Sequence, residues 1–285
     1  MPRSPPAANS CEGRLGYMRD MRAPTSFRFE THGPVGVITF TRPDTLNSLT
    51  FQVYRELTNL FFDLEHEPAI RSVVITGEGR GFCSGGDQHD IIAELFKRDM
   101  PGLVEFTRMT CDLIRNIRAL RKPVIAALNG TAAGAGAVIA LASDLRVASD
   151  ASKIAFLFVK VGLAGADMGA AYLLPRIVGL SRATELLYFG DVIDAPTAER
   201  YGLFNKVVPK DKVLDESMAW AQRLATGPTF ALGMTKELMN AELNMDLFAA
   251  LDNEARAQAV CMQTQDFKEA YDAFSKKRPA NFQGR

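Results

Sequence analysis

The sequence contains few of the residues that build disulfide frameworks and structural metal sites. Its 285 residues include four cysteines, none of them in a CxxC pair, and only three histidines. These numbers and spacings argue against a disulfide-rich secreted scaffold and against a zinc-stabilised domain, so no metal site is expected. A chain of this length buries enough surface to fold without such cross-links.

The sequence also lacks an excess of positive or negative charge. Lysine plus arginine and aspartate plus glutamate number 33 each, which gives a formal net charge of zero. Proteins that hold nucleic acid electrostatically are normally basic, so a nucleic acid partner is not expected.

Long apolar runs typical of targeting or membrane segments are scarce as well. The first 25 residues hold prolines and arginines but no continuous apolar stretch, which predicts a disordered tail at 1–25 and a cytoplasmic protein. The uncharged segment 123–143 is rich in alanine and glycine and includes Asn129, so it is a poor membrane span and no membrane partner is expected. It predicts instead a strand at 124–128, a glycine loop at 130–136 and a buried helix at 137–142.

Strand-like runs alternate with helix-like segments over most of the chain. Strand patterns lie at 35–40, 72–76 and 145–148, and the helical patterns between them include 51–65 and 103–120. This alternation predicts an α/β fold with a largely parallel sheet. Beyond residue 209 only amphipathic helices are predicted, so we expect a core at 26–208 and a helical C-terminal region at 209–285. The four predicted helices of that region are 211–226, 228–243, 246–260 and 265–276.

Two glycine-rich loops, at 77–87 and 129–136, each follow an apolar strand. Neither is a P-loop, because no Gly-Lys-Ser/Thr sequence follows, and the second lacks the third glycine of a dinucleotide fingerprint. Both loops offer backbone N–H groups, and the second opens a helix whose N-terminus carries partial positive charge. Two converging N–H groups form an oxyanion hole, which stabilises an anion made from a carbonyl. The residues alone leave open the alternative of two tight turns selected for packing.

Six short motifs follow one another along the chain. They are RPDTLNSL at 42–49, GFCSGGD at 81–87, KPVIAALNG at 122–130, ASDLR at 142–146, LLPRIVG at 173–179 and KRPANF at 277–282. With these motifs the chain, from about Phe27 to its end, resembles the enoyl-CoA hydratase/isomerase (crotonase) family.

The resemblance implies a crotonase-like ββα spiral core with a C-terminal helical trimerisation region, and self-association as a homotrimer or a dimer of trimers. It implies an acyl-CoA thioester as substrate, with coenzyme A as part of that substrate and no separate cofactor. By position, the backbone N–H groups of Gly86 and Ala135 form the oxyanion hole, although the family usually has glycine at the second site. The implied coenzyme A contacts are Thr45, Leu46, Ser84, Asp87, Lys277 and Arg278, the last two from a neighbouring subunit.

The chain departs from the family pattern at the two acids that hydratases use. Those glutamates hold and deprotonate a water molecule, and their positions correspond here to Val138 and Phe158. Neither side chain transfers a proton, so hydration by the usual route is not expected. Both residues are expected to line the acyl pocket together with Cys111, which stands where family dehalogenases have a histidine base.

One acid remains near the expected place. Asp167 matches the position of the aspartate nucleophile of family dehalogenases and lies within one residue of an acid of dienoyl-CoA isomerases. It is predicted to be the catalytic proton carrier, with His89 as the second group because histidine titrates near neutral pH. We therefore expect an enzyme, a lyase or isomerase, and favour isomerase-type chemistry. The alternatives are a hydratase or lyase that uses other acids, an aryl-CoA hydrolase or dehalogenase-like enzyme, and a non-catalytic acyl-CoA-binding protein.

Overall fold

The computed structural model describes residues 23–285, so most of the predicted tail at 1–25 lies outside the described residues. Two sheets are formed in this part of the chain. Their strands are β1 (Arg28–His32), β2 (Val35–Phe40), β3 (Ser72–Gly77), β4 (Gly81–Cys83), β5 (Val124–Leu128), β6 (Thr131–Ala133), β7 (Leu145–Ser149), β8 (Lys153–Ala155), β9 (Ile193–Asp194) and β10 (Lys206–Val208).

The first sheet has the strand order β1-β2-β3-β5-β7-β10, and the second has the order β4-β6-β8-β9. Only the pairs β1–β2 and β8–β9 are antiparallel, and every other pair in the two sheets is parallel. Parallel sheets are covered on both faces, and accordingly every residue of β2 and β5 is buried. The predicted, largely parallel sheet is confirmed.

The helices follow the strands along the chain. They are α1 (Phe51–Leu64), α2 (Ala93–Leu95), α3 (Met100–Ala119), α4 (Ala135–Ala142), α5 (Ala170–Val178), α6 (Leu180–Phe189), α7 (Ala195–Arg200), α8 (Val213–Ala225), α9 (Thr229–Glu242), α10 (Leu247–Met262) and α11 (Gln265–Ser275). A π-helical turn, Gln88–Ile92, leads into α2, and 3-10 turns lie at Pro43–Thr45, Leu157–Val161 and Lys210–Lys212.

One arrangement repeats three times in succession: a strand of the first sheet, a strand of the second sheet, and a helix. The repeats are β3-β4-α3, β5-β6-α4 and β7-β8-α5. Each repeat advances both sheets by one position, since β3, β5 and β7 are neighbours in one sheet and β4, β6 and β8 in the other. The chain therefore winds as the ββα spiral that the resemblance implied.

The two glycine loops are shorter than the sequence predicted, because each contains a three-residue strand. β4 lies inside the predicted loop at 77–87, β6 lies inside that at 129–136, and the two strands pair in parallel. Helix α4 begins at Ala135 rather than at 137. Strands this short carry no readable alternation, so the local sequence does not reveal them.

The uncharged segment at 123–143 is interior structure. It forms β5, β6 and α4, and all residues of α4 are buried. A helix that is apolar on every side is normally surrounded by protein or lipid, and here α4 packs against β4, β6, α3 and α5. Over residues 23–285, no helix combines the length and apolar character needed to cross a bilayer.

The C-terminal region is helical, as predicted. Helix α8 covers the outer face of the first sheet, where Val213, Ala221 and Ala225 pack against side chains of β2, β3, β5 and β7. Helix α9 is tied to the core by Lys236, whose buried Nζ lies 2.7 Å from Asp144 Oδ2.

Helices α10 and α11 expose many large apolar side chains. These are Leu247, Phe248, Leu251, Val260, Met262, Phe267, Tyr271 and Phe274. The trimerisation expected of this region stays a prediction.

Candidate active site

Gly86 follows β4 at the point where the chain runs beside Leu49. The Leu49 N–H donates to the Gly85 carbonyl at 2.8 Å, and the Asp87 N–H donates to the Leu49 carbonyl at 2.9 Å. In such a parallel bridge the N–H of the central residue points to the opposite side. The Gly86 N–H therefore points away from Leu49, and within residues 23–285 no backbone carbonyl accepts it.

Ala135 is the first residue of α4 and follows Gly134, which has a φ of 51°. The first N–H groups of a helix have no partner within it and carry partial positive charge. The two loops touch, because a Cβ placed on Gly85 would lie 3.3 Å from the Ala135 nitrogen and 3.0 Å from the Ala133 carbonyl oxygen. The two predicted oxyanion donors thus lie on adjoining loops, at the ends of the paired strands β4 and β6.

The approach of α4 to β4 requires glycine at position 136. A Cβ on Gly136 would collide with the Cys83 carbonyl oxygen and would lie 2.7 Å from the Cys83 Cβ. The absence of a side chain lets the N-terminus of α4 lie directly on the end of β4. This contact fixes where the Ala135 N–H is held.

Two asparagines of the sequence motifs hold the start of β4. Asn47 Nδ2 donates to the Gly81 carbonyl at 2.8 Å, and Asn47 Oδ1 accepts from the Arg42 N–H at 2.9 Å. Asn129 Nδ2 donates to the same Gly81 carbonyl at 3.1 Å, and Asn129 Oδ1 accepts from the Gly77 N–H at 3.2 Å. Because both amides converge on one carbonyl, the loops before and after β4 are fixed relative to each other.

The structure brings three of the predicted coenzyme A contacts together. The Ser84 hydroxyl donates to the Thr45 carbonyl at 2.9 Å, and the Ser84 N–H donates to the Leu46 carbonyl at 2.9 Å. These residues adjoin the Gly86 loop, which supports a path for coenzyme A along this edge.

Lys277 and Arg278 lie just after α11, at the far end of the chain. Arg278 forms a bidentate pair with Glu269 of α11, at 2.6 and 2.8 Å. Within the described chain this pairing occupies the guanidinium. Contact of either residue with coenzyme A bound to a neighbouring subunit stays a prediction.

Asp87 is a buried anchor of the Gly86 loop. Its Oδ1 accepts from the N–H groups of His89 and Asp90, both at 3.0 Å, and its Oδ2 accepts from Ser48 at 2.8 Å and from Arg42 at 2.9 Å. These bonds, led by the Asp90 N–H, hold the pKa of the Asp87 carboxyl well below its usual range. With four donors on its two oxygens, this carboxylate is an unsuitable base, and it stabilises the loop that carries Gly86.

Asp167 has the opposite environment. It is half-buried, and burial raises the pKa of its carboxyl. Within residues 23–285 the one hydrogen bond of this carboxyl is that accepted by Oδ1 from the Met168 N–H, at 2.9 Å. The backbone that follows is unusual, since Met168 is buried with a φ of 49° and Gly169 has a φ of 89°. This turn packs on α3, where a Cβ on Gly169 would lie 3.8 Å from Ile114. A carboxylate with one hydrogen bond and a raised pKa is suited to proton transfer.

Of the other predicted site residues, some are buried and some are exposed. Val138 and Phe158 are buried, as expected of acyl pocket residues, whereas Cys111 of α3 and His89 are exposed. Partial burial raises the pKa of the Cys111 thiol, and the charge of Asp167 raises it further. The roles of all four residues stay predictions.

Sequence reasoning missed Tyr54, a phenol buried in α1. Burial raises the pKa of Tyr54, and the charges of Cys83 and Asp167 raise it further. The available signal was its setting in α1: the other buried side chains of that helix are Val53, Leu57, Leu60, Phe61 and Leu64. A single phenol on the otherwise apolar, buried face of a helix is a signal that sequence reasoning could have used.

Known proteins resemble this chain over nearly its whole length. The family model described as Enoyl-CoA hydratase/isomerase matches residues 30–285. The 1,2-epoxyphenylacetyl-CoA isomerase of Escherichia coli (strain K12) is 36% identical over 258 residues, 90% of this chain and 98% of the relative. The crotonyl-CoA hydratase of Syntrophomonas wolfei is 35% identical over 254 residues, 89% of this chain and 96% of the relative.

A solved structure also resembles this chain over its whole length. This crystal structure, provisionally assigned as an enoyl-CoA hydratase from Streptomyces coelicolor A3(2), is 46% identical to the chain and superposes with a TM-score of 0.90. The match covers 100% of both chains.

Proposed function

The chain belongs to the enoyl-CoA hydratase/isomerase family, and from this premise we propose that it shifts a double bond within an acyl-CoA thioester. One observation carries the proposal. Asp167 is a half-buried carboxylate with a raised pKa, while the positions of the two hydratase glutamates hold the buried, apolar Val138 and Phe158.

The first step is polarisation of the thioester. The N–H groups of Gly86 and Ala135 would bind the thioester oxygen, which becomes an enolate oxygen when a proton leaves the neighbouring carbon. Both loops are held without ligand, by the Asp87 bonds on one side and by the Gly136 contact on the other. Donors fixed in advance at a developing charge stabilise the transition state without reorganisation.

The second step is proton transfer. The Asp167 carboxylate takes a proton from one carbon of the acyl group, and the electron pair moves into the enolate. The protonated carboxyl exchanges its proton with water and then delivers a proton to a carbon two positions away. One C–H bond breaks, one forms, and the double bond moves. Atoms and electrons balance within the substrate, so we propose that coenzyme A, as part of that substrate, is the only cofactor moiety involved.

The test is the Asp167→Asn variant. Without a proton carrier, turnover of a 3-enoyl-CoA should fall by about 10²–10⁴-fold, and deuterium from heavy water should no longer enter the acyl group. Binding of the thioester, measured by calorimetry, should remain, because the oxyanion donors are backbone groups.

The matched control is Asp211→Asn, which removes an exposed carboxylate paired only with Lys212. A surface pair of this kind contributes little, so the variant should keep wild-type turnover. Full turnover by the Asp167→Asn variant would contradict the proposal.

Hydration is the second candidate, favoured by the similarity to the crotonyl-CoA hydratase of Syntrophomonas wolfei. It would require water held by groups other than residues 138 and 158. Mass spectrometry of the product of crotonyl-CoA separates the two reactions, because hydration adds the mass of one water and isomerisation adds none. Binding with no product from any enoyl-CoA would indicate a non-catalytic acyl-CoA-binding protein.

A further inference from the structure

Two peptide groups lie in series behind the Gly86 N–H. The peptide between Gly85 and Gly86 has its carbonyl held by the Leu49 N–H at 2.8 Å. The peptide between Ser48 and Leu49 has its own carbonyl held by Arg42 Nη1, also at 2.8 Å. In a trans peptide the C=O and the N–H point in opposite directions. The guanidinium and the two peptides therefore form one hydrogen-bonded series that ends at the Gly86 N–H.

The guanidinium at the start of this series is held in place. Arg42 Nη2 donates to Asp87 Oδ2 at 2.9 Å, and Arg42 Nη1 also donates to the Ser48 hydroxyl at 3.2 Å. Ser48 and Asp87 are both buried, and the Arg42 side chain is 33% exposed. Water screens charges only partly in such a setting, so the positive charge acts on the series from a fixed position.

The backbone that carries Ser48 is bent to reach this guanidinium. Leu46 and Asn47 have φ angles of 53° and 59°. Leucine rarely adopts this left-handed conformation, because its Cβ crowds the backbone. Strain of this kind persists only where contacts hold it, and it is concentrated at functional sites. The bend therefore points to a function for the contact between Arg42 and the Ser48 carbonyl.

The ion pair with Asp87 also neutralises a charge that would oppose the reaction. Asp87 directly follows Gly86, and its carboxylate is buried. Without a partner, this negative charge would repel the enolate oxygen that the Gly86 N–H is proposed to bind. Arg42 is the cation that pairs with it, at 2.9 Å.

We propose that Arg42 is a positioning residue of the oxyanion hole, which fixes the direction of the Gly86 N–H and strengthens it as a donor through the two peptides. This inference rests on the proposed function. Hydrogen bonds in series polarise one another, and a charged donor forms a stronger bond than a neutral one. The gain is largest when the thioester oxygen becomes an enolate, so Arg42 acts on the rate more than on binding.

Difference infrared spectroscopy tests this with hexanoyl-CoA labelled with carbon-13 at the thioester carbonyl. Binding to wild-type protein should lower the carbonyl stretching frequency, because hydrogen bonds to the oxygen weaken the C=O bond. Arg42→Gln keeps a neutral donor and removes the charge. It should lower the frequency less and reduce kcat for 3-hexenoyl-CoA about threefold to tenfold. A full wild-type decrease in frequency with Arg42→Gln would overturn the inference.

Two further variants provide a rescue and a control. Arg42→Lys keeps the charge on a single nitrogen, so its frequency decrease should lie between those of wild-type protein and Arg42→Gln. If Arg42→Gln does not fold, Arg42→Lys decides, and a full wild-type decrease in that variant overturns the inference. Arg182→Gln removes an exposed pair with Glu185 and should change neither frequency nor kcat.

The same measurement separates this inference from the proposed function. Hexanoyl-CoA has no double bond to move, so Asp167→Asn should show the wild-type decrease in frequency. A decrease in wild-type protein without isomerisation of 3-hexenoyl-CoA would contradict the proposed function alone. Isomerisation without any decrease would contradict this inference alone. If wild-type protein does not bind hexanoyl-CoA, both fail.

Discussion

Asp87 and Asp167 are two aspartates of the candidate site whose carboxyl pKa values are shifted in opposite directions. Bonds from the Asp90 N–H, Ser48 and Arg42 lower the pKa of Asp87, whereas burial with a single bond raises the pKa of Asp167. Environments that move two carboxyl pKa values apart separate a permanently ionised group from one that exchanges protons. At the residue scale, Asp87 supports the loop, and Asp167 is the group that we propose for proton transfer.

This division predicts a pH-dependent loss of stability for Asp87→Asn. Because the native pKa is depressed, Asp87 adds stability above the ordinary carboxyl pKa of about 4, and this is lost as pH falls toward the native value. At pH 7 the variant should lose about 1–3 kcal/mol of unfolding free energy, and near pH 3 the difference should shrink. Urea denaturation at both pH values measures it.

Asp99→Asn is the matched control for that prediction. Asp99 is an exposed cap of α3, where its side chain accepts only the Gly102 N–H, at 3.0 Å. Asparagine caps helices as well as aspartate does, so stability should change little at either pH. A loss at pH 7 as large as that of Asp87→Asn would contradict the assignment of a special role to Asp87.

At the element scale, the site depends on the contact of α4 with β4. Gly136 permits this contact, and Asn47 and Asn129 fix the beginning of β4 through the Gly81 carbonyl. The positions of both predicted oxyanion donors follow from this contact, since one precedes Gly136 in α4 and the other follows β4. Two rigid elements, rather than flexible loops, thus set the spacing of the donors.

Gly136→Ala should therefore damage both the fold and the site. The new methyl group must displace the Cys83 carbonyl, which costs about 1–3 kcal/mol and exceeds the gain of up to about 1 kcal/mol in helix propensity. Denaturation should show the loss, and calorimetry should show weaker binding of acyl-CoA. Unchanged stability would contradict the contact.

The control is Gly102→Ala in α3. There the nearest atom to the new methyl is the flexible Asp99 carboxylate, at 3.2 Å, which can move. Stability should stay the same or rise by up to about 1 kcal/mol, because alanine favours helix more than glycine does.

At the scale of the whole molecule, the apolar side chains exposed on α10 and α11 need an explanation. Phe248 is 79% exposed and Phe274 is 85% exposed, and monomers rarely present such clusters to water. The resemblance implies trimers formed through this region. An interface of that kind requires exposed apolar side chains, and α10 and α11 present them.

We predict that sedimentation of the wild-type protein gives a species of several 31.2 kDa chains. Phe248→Asp combined with Phe274→Asp should shift it to smaller species, because charges in an apolar interface lose hydration without a partner. Phe62→Asp, at an exposed position of α1, should leave the assembly intact. A wild-type monomer would contradict the prediction.

The family, the parallel α/β core and the helical C-terminal region could all be predicted from the amino-acid sequence. Each of these predictions uses local information. Short sequence motifs indicate the family, continuous apolar runs indicate the buried strands β2, β3, β5 and β7, and amphipathic periodicity indicates helices α8 to α11. The solved relative with a TM-score of 0.90 confirms the crotonase-like fold. Local patterns suffice here because each of these elements is long enough to show its period.

The environments of the polar groups in the candidate site could not be predicted from the sequence, because they arise from tertiary packing. Strands β4 and β6 are stable through pairing with each other, a contact between segments some fifty residues apart. The lowered pKa of Asp87 and the raised pKa of Asp167 likewise depend on neighbours from other elements. Burial and hydrogen bonding are properties of the packed chain, and no local spacing of residues encodes them.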